Sequence, residues 1–302
     1  MSKIESNTIH PLVSVVTPSY NQGKYLEKTI RSVICQDYSN IEYIIVDALS
    51  SDNSQEIIQK YSNYIDIIII EKDNGQSDAL NKGFRACNGN ILAYLNADDC
   101  YADKITISKA VSYFESYPEV DVVYGQRNTV DKNGCFLYCM PYRKFSMENI
   151  YISDYIPQEC TFWRRQMFEK SGSYIDDTFD FAMDYELWLR FLKHNANFLS
   201  VIDFFGLFRN YEEQKSVSQW RSVGLPEIAK LYDMYTDKHI PEQEMIDDYQ
   251  KYFYGLSPSL YPERFKFLQQ LWDTFVISKR NILDQRPMDE WVFQEEPRSY
   301  NT

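Results

Sequence analysis

The stretch LVSVVTPSYNQGKYLEKTIRSVICQDYSNIEYIIVDA, residues 12–48, has the pattern of a strand, a helix and a second strand. Its two ends are rich in Val and Ile, as in strands that are buried on both faces. Between them the apolar residues recur at helical spacing, at Leu26, Ile30, Val33 and Ile34. A helix of this length between two such strands predicts that the strands are parallel.

The same alternation continues to residue 126 and predicts an α/β fold. The sheet is expected to be Rossmann-like, mostly parallel and flanked by helices. Further strands are predicted at 64–72, 91–96 and 120–126, and further helices at 52–61, 77–87 and 104–117. Beyond residue 126 the pattern loosens, and from about residue 218 it predicts a C-terminal helical extension, 218–302, with an amphipathic stripe in 261–283.

Composition limits the classes of partner. The 302 residues are 44% hydrophobic and 25% charged, which is typical of a globular protein. Acidic residues outnumber basic ones by 44 to 31, giving a formal charge of −13. This charge argues against a nucleic-acid partner, because binding there depends on neutralising phosphates.

No segment of the sequence indicates secretion or membrane insertion. The N-terminus lacks the apolar core of a signal peptide, and no apolar run is long enough to span a bilayer. The six cysteines form no C-x-x-C pair, so a structural zinc site is not expected. We therefore expect a cytoplasmic protein with reduced thiols.

Acidic residues follow the strand in GNILAYLNADD, residues 89–99. Ligands of open α/β sheets bind beyond the carboxyl ends of the strands, where Asn96, Asp98 and Asp99 would lie. Such oxygen ligands suit Mg²⁺ or Mn²⁺, which bridge to a substrate diphosphate. The alternative is that the two aspartates cap the following turn. The residues alone leave both interpretations open.

A further acid, Asp184, lies in the helical pattern DFAMDYELWLRFLKH, residues 180–194. It precedes Leu187 and Trp188 by three and four residues, and so shares their inward face. Burial raises the pKa of such a carboxyl group and the helix N-terminus lowers it. Asp184 is therefore a candidate to accept a proton from a hydroxyl, and the alternative is an N-cap aspartate.

Several common motifs are missing from the sequence. It contains no G-x-G, no Walker A lysine motif and no G-x-S-x-G. A Rossmann dinucleotide fingerprint, a kinase glycine loop and a nucleophile elbow are therefore excluded.

Five segments, in order and spacing, resemble the family 2 glycosyltransferases, which have the GT-A fold. The resemblance covers roughly residues 12–216 and implies a catalytic domain at 1–217, with a nucleotide-binding half at about 12–126 and an acceptor half at about 127–217. The segments are 13–54, EKDNGQSDALNKGF at 71–84, 89–99, IPQECTFWRRQMFEKSG at 156–172 and AMDYELWLRFLK at 182–193.

The resemblance implies that a sugar passes from a nucleotide-diphosphate donor, with a UDP-sugar favoured, to an acceptor hydroxyl with inversion at the anomeric carbon. It assigns most of the donor-side residues. Thr17, Pro18 and Tyr20 would line the nucleobase pocket, Asp47 would bond the base, and Asp78 and Asn81 would contact the donor.

The resemblance also assigns the metal and acceptor sides. Asn96-Ala97-Asp98 occupies the D-x-D place, so Asp98, with Asp99 beside it, would bind Mn²⁺ or Mg²⁺. Asp184 would be the general base. Gln158, Trp163 and Arg164 would lie near the acceptor and the sugar.

The sequence departs from the family pattern at three places. Asn96 replaces the first acid of D-x-D, and the segment 46–52, VDALSSD, lacks the usual glycines. Tyr211 stands where many relatives have a histidine, which leaves Arg209 and Lys215 as the phosphate partners expected there.

The acceptor implied by the resemblance is a glycan, a glycolipid or another hydroxyl compound in surface polysaccharide or glycoconjugate assembly. Two other functions are weighed against transfer. A non-catalytic sugar-nucleotide-binding scaffold is favoured by Asn96. A sugar-1-phosphate nucleotidyltransferase ranks lower, because TPSYNQGKY, residues 17–25, is not a Gly-rich, Arg-containing loop.

Three interpretations compete for the extension, residues 218–302. It packs as helices on the catalytic domain, forms a homodimer interface, or makes a peripheral membrane contact. The net acidity of the chain weakens the third.

Overall fold

The computed structural model describes residues 10–140 and 142–236, together with 238 and 241. Nine strands within these residues form one sheet, in the order β3-β2-β1-β4-β8-β6-β9-β5, with β7 beside β6. The strands are β1 Val13–Ser19, β2 Ile41–Asp47, β3 Ile67–Ile70, β4 Ile91–Tyr94, β5 Cys100–Tyr101, β6 Val122–Val130, β7 Phe136–Cys139, β8 Thr161–Arg164 and β9 Phe198–Arg209.

Helices cover both faces of this sheet and bury an apolar core on each. The helices are α1 Gly23–Ile34, α2 Ser54–Lys60, α3 Gln76–Ala86, α4 Thr106–Ser116, α5 Met147–Ile152, α6 Arg165–Lys170, α7 Met183–Lys193, α8 Lys215–Ser218 and α9 Leu225–Thr236. Helices α1, α2 and α4 pack on one face, and α3, α5, α6, α7 and α9 pack on the other. The predicted α/β class, a sheet flanked by helices, is confirmed.

The direction of the strands changes along the sheet. β1 pairs in parallel with β2 and β4, and β2 with β3, as the repeating pattern predicts. β8 then lies antiparallel between β4 and β6, while β6 and β9 run parallel. The parallel arrangement therefore holds for the first half of the chain, and the second half is mixed.

The contact between α3 and the parallel strands depends on Gly83. A Cβ atom at this position would lie 2.4 Å from Val16 Cγ1 and 3.3 Å from Val46 Cγ2. Real Cβ atoms do not approach that closely, so α3 lies against β1 and β2 only because residue 83 has no side chain.

Gly83→Ala is expected to lower the free energy of unfolding by about 1–2 kcal/mol, because overpacking costs more than the gain in helix propensity returns. Urea denaturation should show a lower midpoint with an unchanged slope. Arg85→Ala, at an exposed position of the same helix, is the control and should change stability little. An unchanged midpoint for Gly83→Ala would contradict this close packing.

The start of the C-terminal extension packs on the catalytic domain. Leu225, Ile228 and Leu231 of α9 are buried in the core that also contains α7. The Glu227 carboxylate accepts bonds of 2.8 Å from the backbone N–H groups of three residues that lead into α7, namely Asp180, Phe181 and Ala182. For residues 218–236 the packed-helix interpretation is therefore observed.

The homodimer and membrane interpretations apply to the whole extension, most of which, including the amphipathic stripe at 261–283, lies outside the described residues. The domain boundary at 217 stays a prediction. Within the part of the chain that the structure describes, no helix is both long and apolar enough to cross a bilayer.

Candidate active site

A cavity of about 1060 Å³ opens beyond the carboxyl ends of β1, β2 and β4. Its other walls come from the middle of β6, the turn before β8, the start of α7 and the segment after β9. The cavity is therefore where an open α/β sheet places a ligand.

Seven of the predicted site residues line this cavity. Asp98 and Asp184, the two acids on which the predicted chemistry depends, are both among them. The seven are Pro18, Tyr20, Asn96, Asp98, Asp99, Gln158 and Asp184.

The adjacent acids Asp98 and Asp99 are stabilised from β9. Asp99 Oδ1 accepts the Arg209 backbone N–H at 3.0 Å, and the Arg209 Nε donates to the Asp98 carbonyl at 3.0 Å. The Tyr211 hydroxyl donates to Asp98 Oδ2 at 2.8 Å. Burial raises the pKa of both carboxyl groups, and the Asp98 charge raises that of Asp99 further.

The two acids differ in their access to the cavity. Asp98 is 8% exposed and Asp99 only 1%. Mg²⁺ in proteins often binds one or two carboxylates and completes its shell with water and substrate phosphates. Asp98 fits that role better than Asp99, whose carboxylate also takes a main-chain bond. Among the described residues, no three His, Cys, Asp or Glu side chains form a group able to hold a metal ion.

Asn96, at the place of the first D-x-D acid, belongs to a chain of amide side chains. Gln76 Nε2 donates to Asn96 Oδ1 at 2.8 Å, and Asn96 Nδ2 donates to Gln158 Oε1 at 3.2 Å. Gln158 Nε2 in turn donates to the Tyr94 carbonyl at 2.6 Å. An aspartate at position 96 would lose the donor to Gln158, so the amide is required by its neighbours.

Asp184 lies in the first turn of α7, where its Oδ1 accepts the Tyr185 backbone N–H at 2.9 Å. The residue that caps the helix is Ala182, so the alternative of an N-cap aspartate is wrong. Burial raises the pKa of Asp184 to about 6, against the lowering effect of the backbone N–H groups. A carboxyl group with this pKa is mostly ionised at neutral pH.

Helix α7 is held rigidly behind this carboxylate. Arg190 Nε lies 3.0 Å from Glu186 Oε1, and the Arg190 guanidinium also donates to the Ser171 and Tyr174 carbonyls at 2.7 Å. The side chains of Glu186 and Arg190 are both buried. Buried charges are stable only when they are paired and hydrogen-bonded, as these two are.

Four predicted donor-side residues do not line the cavity. Alternation along β1 turns Thr17 to the opposite face from Pro18, and its hydroxyl lies 3.1 Å from that of Tyr43. Asp47 is fully buried and accepts bonds from Ser19 Oγ at 3.0 Å and from Ser50 N at 2.8 Å. A direct bond from Asp47 to a base stays a prediction.

The other two of the four lie on α3 and organise nearby loops. Asp78 accepts the Asn74 backbone N–H at 3.1 Å and lies 3.6 Å from Lys82 Nζ. Asn81 exchanges two bonds, of 2.8 and 2.7 Å, with the backbone of Ile175. The structure gives these side chains supporting positions outside the cavity.

On the acceptor side, Trp163 and Arg164 lie away from the cavity. Because β8 runs antiparallel to β4, its start lies at the cavity and its end about 10 Å away. Trp163 is fully buried against Trp188, and Arg164 donates to the Val120 carbonyl at 2.7 Å. This corrects the prediction for both residues: they have core and sheet-end roles, and Gln158 is the member of this segment that lines the cavity.

Sequence reasoning missed several cavity residues. Asp154 and Tyr155 lie in the loop after α5, and Arg127 on β6 lies 3.6 Å from Glu159. No periodic pattern or motif marks these positions. Lys215, expected as a phosphate partner, does line the cavity, and burial lowers its pKa. Arg209 lies behind Asp98 and Asp99.

Comparison with solved structures identifies the fold class. Staphylococcus aureus TarS, residues 1–349, in complex with UDP-GlcNAc superposes with a TM-score of 0.62 at 17% identity, over 83% of this chain and 74% of that one. The mannosyltransferase PcManGT from Pyrobaculum calidifontis, in complex with GDP-Man and Mn²⁺, gives 0.59 at 18% identity, over 84% and 73%. The fold is therefore that of the GT-A glycosyltransferases.

The sequence comparison identifies the family. The model of glycosyl transferase family 2 matches residues 14–172, and the chain belongs to that family. The predicted membership of this family is thus confirmed.

Curated relatives carry the same designation. An uncharacterised glycosyltransferase of Rickettsia typhi is 29% identical over 197 residues, 63% of this chain and 61% of that protein. The putative teichuronic acid biosynthesis glycosyltransferase TuaG of Bacillus subtilis is 40% identical over 92 residues, 30% of this chain and 36% of the relative. The chain thus spans about three fifths of the length of the first relative and less of the second.

Proposed function

We propose that this chain is an inverting glycosyltransferase that moves a sugar from a nucleotide-diphosphate donor, with a UDP-sugar favoured, to an acceptor hydroxyl. The observation that carries the proposal is that Asp98 and Asp184 line one cavity at the carboxyl edge of the sheet. The relatives that support it include TarS, crystallised with UDP-GlcNAc.

The donor occupies the β1–β4 side of the cavity. Pro18 and Tyr20 line the place proposed for the nucleobase, and Asp47 holds Ser19, which also lines it. Asp98, with Asn96 beside it, would hold Mn²⁺ or Mg²⁺, which when bound neutralises the diphosphate as it leaves. Lys215 supplies a second positive charge to the diphosphate from the segment after β9.

The reaction is a single displacement. The acceptor oxygen forms its bond to C1 on the face opposite the nucleoside diphosphate, the bond from C1 to the diphosphate oxygen breaks, and the hydroxyl proton passes to Asp184. The base needs only moderate strength, because cleavage at C1 leads and deprotonation is late. A carboxylate with a pKa of about 6 meets that requirement.

The second candidate function is a non-catalytic sugar-nucleotide-binding scaffold. The neutral Asn96 in the D-x-D place favours it, since an amide is a weaker ligand for a hard cation. The raised pKa of Asp184, which a scaffold has no use for, favours transfer instead.

The proposal extends to the setting of the protein. The acceptor is a glycan, a glycolipid or another hydroxyl compound. The enzyme acts in the cytoplasm, and peripheral contact with the membrane is the alternative location. The catalytic domain is proposed to end at 217.

A ligand screen tests the donor assignment. UDP-sugars, at roughly 100 times their dissociation constant with Mn²⁺ present, are expected to raise the melting temperature by about 5 °C, because they bind only the native state. EDTA should reduce that shift, and GDP- and dTDP-sugars should give smaller ones. If no nucleotide sugar stabilises the chain, the proposed function is wrong. If the chain binds donor but yields neither transfer nor donor hydrolysis, the scaffold is favoured.

A further inference from the structure

Part of the cavity lies beyond the residues assigned to the donor. It is bounded by β6, β7, the segment between β7 and α5, and the loop that follows α5. Four tyrosines line this part: Tyr124, Tyr138, Tyr142 and Tyr155. We call them the tyrosine wall.

The phenol hydroxyls of the tyrosine wall are largely bound to the protein itself. Tyr124 donates to the Arg143 carbonyl at 3.1 Å, and the Tyr142 hydroxyl lies 3.0 Å from Ser200 Oγ. The Tyr155 hydroxyl accepts the Ser146 backbone N–H at 2.9 Å. These bonds fix the rings, so the wall offers the cavity apolar ring surface.

Asp154 stands beside this surface with an unused hydrogen-bonding atom. Its Oδ1 is buried and has no hydrogen-bond partner among the described residues. A buried polar atom without a partner is destabilising, and a bound ligand that supplies the partner removes that cost. Because Asp154 lines the cavity, that ligand is one that enters the cavity.

The charges in this region disfavour an anionic ligand. Glu159 and Asp184 line the cavity, and so do two cationic side chains: Arg127, which lies 3.6 Å from Glu159, and Arg143. The diphosphate of a bound donor adds further negative charge. A second anion would therefore meet the Asp184 carboxylate and the donor diphosphate, whereas a neutral hydroxyl compound would not be repelled by them.

A sugar ring has an apolar face and polar hydroxyl groups, and this region can bind both. The C–H face of a pyranose is apolar and packs on aromatic rings, and its hydroxyl groups donate and accept hydrogen bonds. Burial raises the pKa of Asp154 well above its usual range, which favours the neutral carboxyl group. A neutral carboxyl group can both donate and accept a hydrogen bond. Asp184 lines the same cavity.

We propose that Asp154 and the tyrosine wall form the acceptor subsite, and that the acceptor group it takes is an uncharged pyranoside. One hydroxyl of the ring is bonded by Asp154, and another is presented to Asp184. Asp154 is thus a specificity-determining residue. This inference rests on the proposed function and names the class of its acceptor.

Saturation-transfer NMR of the full chain in the presence of UDP tests the inference without requiring turnover. The probes are methyl glucopyranoside, methyl galactopyranoside and methyl mannopyranoside, compared with ribitol and glucose 6-phosphate. We expect at least one pyranoside to receive saturation at its ring protons, and the other two compounds to receive less. Asp154→Ala should weaken that binding roughly ten-fold, the loss of about one hydrogen bond, and Tyr142→Ala should weaken it as well.

Two controls accompany these variants. Glu148→Gln removes an exposed acid of α5 outside the cavity and should leave pyranoside binding unchanged. Asp154→Asn keeps the shape and both kinds of hydrogen-bonding atom, so it should bind better than Asp154→Ala if the alanine variant is still folded.

Calorimetry of UDP binding to the same samples distinguishes a failure of the acceptor inference from a failure of the proposed function. If UDP binds but no pyranoside does, or if ribitol or the phosphate binds as well, the acceptor inference is wrong and the proposed function stands. Unchanged pyranoside binding in Asp154→Ala also overturns it. If UDP itself does not bind the wild-type chain, the proposed function fails and the inference with it.

Discussion

Replacement of Asp184 by Asn is expected to reduce sugar transfer by roughly 10³-fold, which is the middle of the range that a general base contributes. The amide has nearly the shape of the carboxylate, and its Oδ1 still accepts the Tyr185 N–H, so α7 should keep its start. What is lost is the group that takes the hydroxyl proton. Calorimetry should show donor binding within about two-fold of wild type.

The matched control for Asp184→Asn is Asp177→Asn. Asp177 is exposed in the loop before α7 and does not line the cavity, so this change also removes one acidic charge near the helix. It should leave transfer unchanged. Transfer at the wild-type rate in Asp184→Asn would remove Asp184 from the mechanism.

The pH dependence of transfer provides a separate check on the same carboxylate. Its pKa is raised to about 6 by burial, so the unprotonated base predominates above that pH and is lost as pH falls through it. The log of the rate should therefore decline with a slope of about one below pH 6. A limb near pH 4, the value of an ordinary carboxyl group, would show that a different acid is titrating.

Asp98→Asn is expected to lower transfer roughly 100-fold or more, through weaker binding of the donor diphosphate. An asparagine Oδ1 can still accept the Tyr211 hydroxyl, so the local fold should survive the change. The charge that would hold Mn²⁺ or Mg²⁺ is removed. In the thermal screen, the stabilisation by a UDP-sugar should then no longer depend on Mn²⁺.

Two further variants are needed to interpret the result for Asp98→Asn. Asp103→Asn changes an exposed acid shortly after the pair and should behave as wild type. Asp99→Asn removes the other candidate ligand, which is nearly inaccessible and tied to the Arg209 backbone. If Asp99→Asn abolishes the Mn²⁺ effect and Asp98→Asn preserves it, our assignment of the ligand is reversed.

The first half of the fold follows closely from the sequence pattern. The predicted strand at 41–48 is Ile41–Asp47, and the predicted helix at 104–117 is Thr106–Ser116. Parallel strands buried on both faces leave near-continuous apolar runs, which are easy to recognise. The strands β8 and β9 are not predicted, because the alternation of strands and helices loosens beyond residue 126, and no local signal gives the direction of a strand or its neighbour in the sheet.

The residues of the candidate site also divide into those that the sequence predicts and those that it does not. The place of Asp98 and Asp184 at the cavity can be predicted because a strand end and a helix start are visible in the sequence, and because their segments resemble a known family. Arg209 bonds Asp99 from 110 residues away along the chain, and Asp154 lies in an irregular loop. Their roles depend on tertiary packing alone. Trp163 and Arg164 were misplaced because segment order carries no information on which end of β8 faces the ligand.

The insertion of β8 between β4 and β6 has a consequence for how such enzymes can be recombined. Hydrogen-bonded pairs on both sides of β8 join the halves predicted at 12–126 and 127–217 into a single continuous layer, so the two halves are not separable modules. A chimera spliced at residue 126, which lies within β6, would have to rebuild the pairs of β8 with β4 and β6 and those of β9 with β5 and β6. New specificity is therefore better sought by grafting the loops around the rim than by exchanging halves.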